Sequence, residues 1–320
     1  MKAIVIHEFG GPEVLTLEEV PDPTPGREEV VVRLKAIGVN PVETYQRAGG
    51  QGYTIPRPFT PGADGAGVVE AVGPDVIGFS PGDRVYVAGS QSGTYAELCR
   101  CASAQVHHLP APISFEDGAC LWINYGTAYR ALFTRGAATA GDRVLIHGAT
   151  GGVGIAAVQW ARYRGLQTYA TYGSPAGEAM LRDQGVDHRF NHSDDGHAAA
   201  ILDATDGHGI DLIVEVLANV NLEDDLDMLA HGGRVVVVGS RGTIEITPRK
   251  LMAREAEVRG LMLYKASPRE MAEIHASIDA AGNMGALRPV IQTSVPLAMA
   301  AEAHRIVMEE PSHGKVLLIP

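Results

Sequence analysis

The chain has 320 residues, of which 45% are hydrophobic and 20% are charged, and its formal net charge is −12. A chain of this length buries about three quarters of its unfolded surface, so it needs no disulfides or structural metals to fold. The acidic excess argues against a broad nucleic-acid interface and against binding to an anionic membrane surface. No apolar run approaches the ~18 residues of a membrane span, and no basic-then-apolar leader precedes the first strand-like segment. We therefore expect a cytoplasmic protein with no nucleic-acid or membrane partner.

The three cysteines do not form a disulfide framework. Cys99 and Cys101 lie two apart in a strand-like run and would point to the same face, and Cys120 stands apart from them. A metal site would need two more ligands at zinc spacing, which nothing nearby supplies. We expect reduced thiols with a structural role and no bound metal.

The first 118 residues have the pattern of an all-β domain. Short runs of β-forming residues are separated by Pro and Gly clusters, such as Pro21–Gly26. This pattern predicts a small, partly open barrel rather than a parallel sheet. The predicted strands are Ala3–Ile6, Leu15–Val20, Glu29–Ala36, Gly67–Gly73 and Asp83–Val87.

From about residue 119, strands and helices alternate, which is typical of a parallel sheet covered by helices. We therefore predict an α/β fold with a doubly wound, Rossmann-type sheet in this part of the chain. The predicted helices are Cys120–Leu132, Ile155–Tyr163, Ala176–Asp183 and Leu222–Leu229. The predicted strands are Val144–Ile146, Gln167–Thr171, a third ending near Asn191, Asp211–Glu215, Arg234–Val238 and a sixth at Leu261–Leu263.

The last part of the chain mixes both patterns. We predict helices over Pro268–Ala280 and Pro296–Met308, and strands at Val290-Ile291 and Lys315–Ile319. Such a tail could return to the first domain and make the second an insertion. We therefore divide the chain at 1–118, 119–263 and 264–320, with the third segment expected to pack on the first.

A glycine turn follows the strand Val144–Ile146. Its pattern, Ala-x-Gly-Gly-x-Gly from Ala149 to Gly154, is the dinucleotide fingerprint with Ala in place of the first glycine. Gly151 would let the backbone approach a pyrophosphate, and Gly154 would let helix and strand pack closely. The following helix offers unpaired N–H groups to the phosphates. We predict cofactor binding here, with a plain strand–helix turn as the alternative.

The end of the second strand indicates which nicotinamide cofactor is used. An acidic residue there would hold the ribose of NAD, but Thr168–Ser174 contains none, which favours NADPH. The cation for its 2′-phosphate could be Arg241, although an exposed loop cation is an equal alternative. His192 could contact the adenosine, although a surface histidine is the simpler interpretation. Loops after the fourth and fifth strands place Asn221, Gly239 and Ser240 along the cofactor.

Three further segments carry polar, turn-rich sequences that are structural or catalytic: Gly38–Tyr45, Phe59–Gly67 and Tyr125–Tyr129. Together with the glycine turn they resemble one family, as do later segments of the chain. Those are Phe190–His192, Leu217–Leu222, His231–Val235 and Val238–Ile246. Across nearly its whole length the chain resembles the zinc-independent, zeta-crystallin-like quinone oxidoreductases of the medium-chain dehydrogenase/reductase superfamily.

The resemblance implies a GroES-like barrel, an inserted nucleotide domain, NADPH in the cleft between them, and reduction of quinones. It raises the expectation that His192 contacts the cofactor. Residue by residue, the cofactor contacts that it implies are Tyr45, Thr127, Thr150, Gly151, Gly152, Val153, Gly173, His192, Asn221, Val238, Gly239, Ser240, Arg241, Leu261, Met262 and Leu263.

The resemblance also shows that zinc ligands are missing. Zinc-dependent relatives place a Cys near Asn40 and a His-Glu pair at Ala63-Asp64, and neither Asn nor Ala is a credible zinc ligand. Without a Lewis acid, alcohol oxidation is disfavoured and a quinone is a better acceptor. We expect Asn40, Tyr45 and Thr127 to orient the nicotinamide or the acceptor. Protonation by Tyr45 or by water, and hydride or single-electron transfer, remain alternatives.

Two other functions are compatible with the sequence. One is an NADPH-dependent enone or alkenal reductase, and the other is an NADPH-binding redox sensor with little turnover. We expect a homodimer or homotetramer, with Thr243–Ile246 as a candidate edge for strand pairing. The acceptor pocket would be formed by the loops Arg47–Pro58, Gln91–Thr94 and Leu263–Ser267.

Overall fold

The structure, a computed structural model, describes residues 1–50, 53 and 55–320. It contains two compact units. The first unit combines residues 1–123 with 279–320, and the second comprises residues 124–278, so the second is inserted into the first. The sequence analysis placed these boundaries at 118 and 263. The structure moves the first boundary slightly towards the C-terminus and assigns residues 264–278 to the second unit.

The strands in chain order are β1 (Lys2–Val5), β2 (Thr16–Glu19), β3 (Glu29–Val39), β4 (Asp64–Val72), β5 (Arg84–Ala88), β6 (Leu98–Ala102), β7 (Val106–His108), β8 (Arg143–Ile146), β9 (Gln167–Tyr172), β10 (His188–Asn191), β11 (Ile210–Glu215), β12 (Leu229–Val237), β13 (Glu257–Gly260), β14 (Ile291–Pro296) and β15 (Lys315–Ile319). The helices are α1 (Pro41–Ala48), α2 (Phe115–Gly118), α3 (Thr127–Tyr129), α4 (Gly152–Tyr163), α5 (Pro175–Asp183), α6 (His197–Asp203), α7 (Ala218–Met228), α8 (Pro248–Arg254), α9 (Pro268–Asn283) and α10 (Ala300–Glu309). No helix of the described ranges is both long and apolar enough to cross a membrane.

The first unit is organised around the long strand β3. One edge of β3 pairs antiparallel with β4. Its other edge is shared, because β6 pairs with the first half and β15 with Ile37–Val39. Two different strands therefore continue the sheet from this edge of β3. The first unit has the GroES-like, partly open barrel fold that the sequence predicted. Apolar residues of the strands and of the tail fill one core, in which Val32, Cys99 and Leu318 are fully buried.

The three cysteines are buried free thiols, and Cys99 and Cys101 point to the same side with their sulfurs 3.7 Å apart. Both belong to the hydrophobic core of the first unit. Their role in the fold is therefore packing, as expected for strand residues two apart.

The second unit is a six-stranded parallel sheet in the order β10-β9-β8-β11-β12-β13. This is the doubly wound order, in which successive strands are added on one side of β8 as far as β10 and then on its other side from β11 onwards, while all strands stay parallel. The central strands are covered on both faces, and Val144, Leu145 and Ile146 have no exposed surface. The carboxyl ends of these strands form one edge, which is where ligands of such sheets bind.

Several predicted elements differ from the structure. The sixth strand is β13 and ends just before Leu261, whereas Leu263 begins a short 3-10 turn. The predicted helix Cys120–Leu132 is mostly wound as two π-helical segments, Leu121–Gly126 and Arg130–Arg135, on either side of α3. Simple apolar spacing cannot register this wider winding.

The segment Thr243–Ile246 is not part of a strand. Ile244 and Ile246 alternate with exposed residues because they pack on the core of the second unit. The edge strand of the parallel sheet is instead β13, so residues 243–246 do not form the sheet edge, and their pairing with another chain stays a prediction.

Candidate cofactor site

The glycine turn after β8 has the geometry that a pyrophosphate requires. Gly148 has a φ of +58°, and Gly151 caps the N-terminus of α4. A Cβ on Gly154 would lie 2.3 Å from the carbonyl oxygen of Gly148, so only glycine allows this close approach. The turn thus leaves the N–H groups at the start of α4 available to an anionic group.

Gly152 lies close to the side chain of Asn124, a residue that the sequence analysis did not select. A Cβ on Gly152 would lie 2.3 Å from Nδ2 of Asn124, which is buried in the preceding π-helical segment. Thr150 and Val153 are half-buried on the same turn. The four predicted contacts from Thr150 to Val153 therefore form one continuous surface at the start of α4.

The end of β9 carries two of the predicted residues side by side. A Cβ on Gly173 would lie 2.7 Å from Cε1 of His192, so the imidazole occupies the space that a side chain would fill. Burial, together with the nearby His197 and His147, lowers the pKa of His192. The structure thus brings His192 and Gly173 together at the position where an adenosine ribose would bind.

Arg241 lies elsewhere along the same edge. It follows β12, which is three strands away from β9 in the sheet, or roughly 14 Å at the usual strand spacing. Its backbone N–H donates to Oδ1 of Asn219. The sheet order therefore argues against Arg241 as the partner of a 2′-phosphate beside β9.

The loops after β11 and β12 are hydrogen-bonded to each other and closely packed. The N–H of Ala218 donates to the carbonyl oxygen of Gly239, at 2.9 Å. A Cβ on Gly239 would lie 2.4 Å from the carbonyl oxygen of Val216, so a larger residue would force the loops apart. Asn221, at the start of α7, donates from Nδ2 to the carboxylate of Glu215.

A cavity of about 510 Å³ opens at the ends of β12 and β13. Arg130 spans one wall and donates from a guanidinium nitrogen to the carbonyl oxygen of Met262, at 3.0 Å. Leu263 is buried next to Met262, and Thr127 is buried in α3. The predicted cofactor residues in the lining are Val238, Gly239, Ser240, Leu261 and Met262.

A buried charged cluster lies beneath this edge. His147 at the end of β8, Glu215 at the end of β11 and Asp225 in α7 are each at most 4% exposed. Nε2 of His147 lies 3.0 Å from Oδ1 of Asp225 and 3.8 Å from Oε2 of Glu215. The sequence analysis did not select these residues, since a single polar residue ending a hydrophobic strand carries no signal of a partner far along the chain.

A second buried cluster lies in the first unit and includes Asn40. Nδ2 of Asn40 donates to Glu43 and to Asp64, at 3.1 and 3.0 Å. Lys315 donates from Nζ to Oδ1 of Asn40 and, at 2.9 Å, to Oδ2 of Asp64. Asn40 also caps α1. Both amide hydrogens of Asn40 are therefore committed to carboxylates.

This arrangement does not fit zinc. The oxygen atoms of Asn40 and Asp64 that could face a metal already bind the ammonium group of Lys315. Burial raises the pKa of Glu43 to about 8, with Asp64 adding to the shift and Lys315 opposing it. A positive charge is thus already supplied by the chain, and no thiolate or imidazole ligand joins the described set.

The remaining predicted residue, Tyr45, is half-buried on α1, four residues from the Pro41 that begins the helix. It shares this helix with the cap Asn40. Residues 51, 52 and 54 of the predicted acceptor loop Arg47–Pro58 lie outside the described residues.

Two family models match the chain: the alcohol dehydrogenase GroES-like domain at residues 26–111 and the zinc-binding dehydrogenase domain at residues 152–283. The human quinone oxidoreductase is 44% identical over 321 residues, which cover 100% of this chain and 98% of the human protein. The chain belongs to the quinone oxidoreductase family. This family is part of the medium-chain dehydrogenase/reductase superfamily, as the sequence indicated.

Solved structures agree with this assignment. Escherichia coli quinone oxidoreductase complexed with NADPH has a TM-score of 0.90 at 29% identity and is covered completely, as is this chain. A mycobacterial protein complexed with NADPH has a TM-score of 0.91 at 30% identity, again with complete coverage of both chains. An NAD-dependent alcohol dehydrogenase is equally similar in fold, with a TM-score of 0.93 at 30% identity. The fold alone therefore does not separate these activities.

Proposed function

We propose that this chain is a zinc-independent NADPH:quinone oxidoreductase. The observation that carries the proposal is the full-length similarity to quinone oxidoreductases, combined with a glycine turn whose geometry fits a dinucleotide. When bound, NADPH supplies a hydride or electrons to the acceptor. The chain itself has to bind the cofactor, orient the acceptor and provide a route for a proton.

The edge of the parallel sheet holds the cofactor in this proposal. The start of α4 binds the pyrophosphate with residues 150–153. Gly173 and His192 contact the adenosine half, since they lie together at the end of β9. Residues 238–241 and 261–263 lie along the nicotinamide half; for residues 238–240, 261 and 262 this is supported by the cavity that they line at the ends of β12 and β13. Asn221 orders the loop between the two halves.

A reaction without zinc suits a quinone acceptor. A metal would stabilise a developing alkoxide, whereas a quinone spreads negative charge over a conjugated ring. The cation at the corresponding place in the first unit is Lys315, and it is engaged by Asn40 and Asp64. This geometry supports a reaction that needs no Lewis acid.

Three residues were predicted to orient the nicotinamide or the acceptor. We assign this task to Tyr45 and Thr127, whose hydroxyl groups can both donate and accept. Asn40 acts indirectly, because its amide hydrogens are donated to Glu43 and Asp64 and it fixes the start of α1. The proton comes from Tyr45 or from water.

The working form is proposed to be a cytoplasmic homodimer or homotetramer. The sheet edge β13 supports this, because Val258 on that strand is an exposed hydrophobic residue. Sedimentation measurements at assay concentration test it directly.

The function is tested by comparing kcat/KM for ortho-quinones, para-quinones, an alkenal and an aldehyde, each with NADPH and NADH. We expect quinones with NADPH to give the highest values. A higher value for the alkenal would favour an enone reductase, and tight NADPH binding with negligible turnover would favour a redox sensor.

A further inference from the structure

The buried cluster of His147, Glu215 and Asp225 joins three loops of the candidate cofactor site. His147 directly precedes the glycine turn, and its Nδ1 lies 3.3 Å from Oγ1 of Thr171. The same Thr171 hydroxyl accepts from the N–H of Gly148, at 3.3 Å. The imidazole is thereby tied to the first residue of the turn.

Glu215 holds the other two loops. Its carboxylate accepts from the N–H of Leu217 and from Nδ2 of Asn221, the latter at 3.1 Å. Its carbonyl oxygen accepts from the N–H of Val238, at 2.7 Å. One residue thus fixes both the loop that begins α7 and the loop that follows β12.

The charge of the cluster changes near neutral pH. Burial raises the pKa of Glu215 to about 7, with Asp225 adding to the shift and His147 opposing it. Burial lowers the pKa of His147, but the hydrogen bond to Asp225 and the two carboxylate charges outweigh this, so the pKa is raised. Oδ2 of Asp225 has no hydrogen-bond partner among the described residues.

Three elements contribute the titratable groups of the cluster. β8 contributes His147, β11 contributes Glu215 and α7 contributes Asp225, whereas β9 contributes only the neutral Thr171. After β10, His192 is close enough to His147 for their charges to interact. The titration near neutral pH is therefore centred on Glu215.

We propose that His147, Glu215 and Asp225 are positioning residues for NADPH, and that their shared charge tunes its affinity. Hydrogen bonds from the cluster hold the glycine turn, the loop before α7 and the loop after β12. The charge of the cluster acts on the pyrophosphate at the glycine turn. The inference rests on the proposed placement of the cofactor at this edge.

The direction of the expected change in NADPH affinity with pH follows from the charges of the cluster. When Glu215 is protonated and His147 is charged, the cluster is neutral, because Asp225 balances the imidazolium. Loss of the Glu215 proton makes the cluster negative, and this repels the pyrophosphate. NADPH affinity is therefore expected to fall as the pH rises through 7, and cofactor binding is expected to take up a proton.

The main experiment measures the NADPH dissociation constant by fluorescence between pH 6 and pH 8 for the wild type and Glu215→Gln. A shift of half to one unit in the pKa of Glu215 on binding corresponds to about 3- to 10-fold in affinity. The wild-type dissociation constant should rise by this factor relative to the variant, in which the amide stays neutral. The 2′-phosphate of NADPH titrates equally in both and cancels in the comparison.

Asp224→Asn is the matched control, because Asp224 is the exposed neighbour of Asp225 on the same helix. It should retain the wild-type pH profile. Parallel profiles for the wild type and Glu215→Gln, whatever their absolute affinities, would show a merely structural role and overturn the proposal. A metal ion bound at one per chain and required for NADPH binding would also overturn it, because the three side chains would then be ligands.

A second measurement needs no variant and covers the case in which Glu215→Gln does not fold. NADH, which lacks the titrating 2′-phosphate, is bound calorimetrically at pH 7 in two buffers of different ionisation enthalpy. Net proton uptake is expected, and no uptake or net release would refute the proposal. These readouts are binding measurements, so failure of quinone turnover would refute the proposed function without deciding this inference.

Discussion

Replacing Lys315 with methionine should destabilise the first unit strongly. Lys315 is 4% exposed, and its ammonium group lies 2.9 Å from Oδ2 of Asp64, which has no exposed surface. Its side chain reaches Asp64 by crossing β3 at Gly38, where a Cβ would lie 2.7 Å from Cε of the lysine. The pair therefore joins the final strand to β4 across β3.

The magnitude follows from the burial of both partners. Removing one member of a buried ion pair costs about 3 to 5 kcal/mol, because the other charge remains desolvated. Asp64 would keep the hydrogen bonds from Asn40 and from the N–H of Ile123. We therefore expect the lower end, about 3 kcal/mol.

Urea-induced unfolding at pH 7 measures this loss. Lys250→Met is the control, because Lys250 forms partly exposed ion pairs with Glu223 and Asp227 and should cost less than about 1 kcal/mol. In the double variant Lys315→Met with Asp64→Asn, the cost should be smaller than the sum of the single costs, because no unpaired charge remains. A Lys315→Met cost as small as that of the control, or strictly additive costs, would refute the reasoning.

The other predictions concern the turn, the acceptor side and acid stability. Gly154→Val should weaken NADPH binding more than about tenfold, because the larger side chain would push α4 away from the turn. Gly50→Ala is the control, since its added Cβ meets no described atom within 4 Å, and it should leave binding unchanged. Equal dissociation constants for the two variants would contradict this prediction. Tyr45→Phe should lower kcat by about tenfold if its hydroxyl orients or protonates the acceptor, and unchanged steady-state turnover and KM would remove it from the mechanism. Burial and the nearby Arg47 lower the pKa of His304 to about 3, so the contribution of this residue to stability is complete above its unfolded pKa of 6.5 and is lost as the pH falls towards 3. His304→Gln should therefore reduce the fall of the unfolding temperature with falling pH, measured by thermal unfolding. The same pH dependence in the variant and the wild type would contradict this prediction.

The sequence predicted the part of the fold that depends on local patterns. The strands around the glycine turn and the helix that follows it were correct because hydrophobic periodicity and glycine spacing act over short distances. The alternation of strands and helices then predicts a parallel sheet, whose strands share one carboxyl-terminal edge. This is why Gly151 and Gly239 could be assigned to one edge from the sequence pattern, whereas Gly173 was assigned from the family resemblance.

The buried charges could not be predicted in the same way. Lys315 meets Asp64 from the other end of the chain, and His147 meets Asp225, which lies 78 residues further along the chain. Such pairs depend on tertiary packing, and each partner alone resembles an ordinary polar residue. Asn40 was therefore predicted as an orienting group, whereas the structure shows that its amide bridges two carboxylates and a lysine.

The central claim, an NADPH-dependent quinone reduction that needs no zinc, is tested most directly by steady-state NADPH oxidation with a quinone, with and without a strong chelator. An aldehyde is run in parallel as the acceptor of a zinc-dependent reaction. We predict quinone turnover that is unchanged by the chelator and negligible turnover of the aldehyde. Aldehyde reduction that the chelator abolishes would contradict the account, because it would require a metal where Lys315 supplies the positive charge.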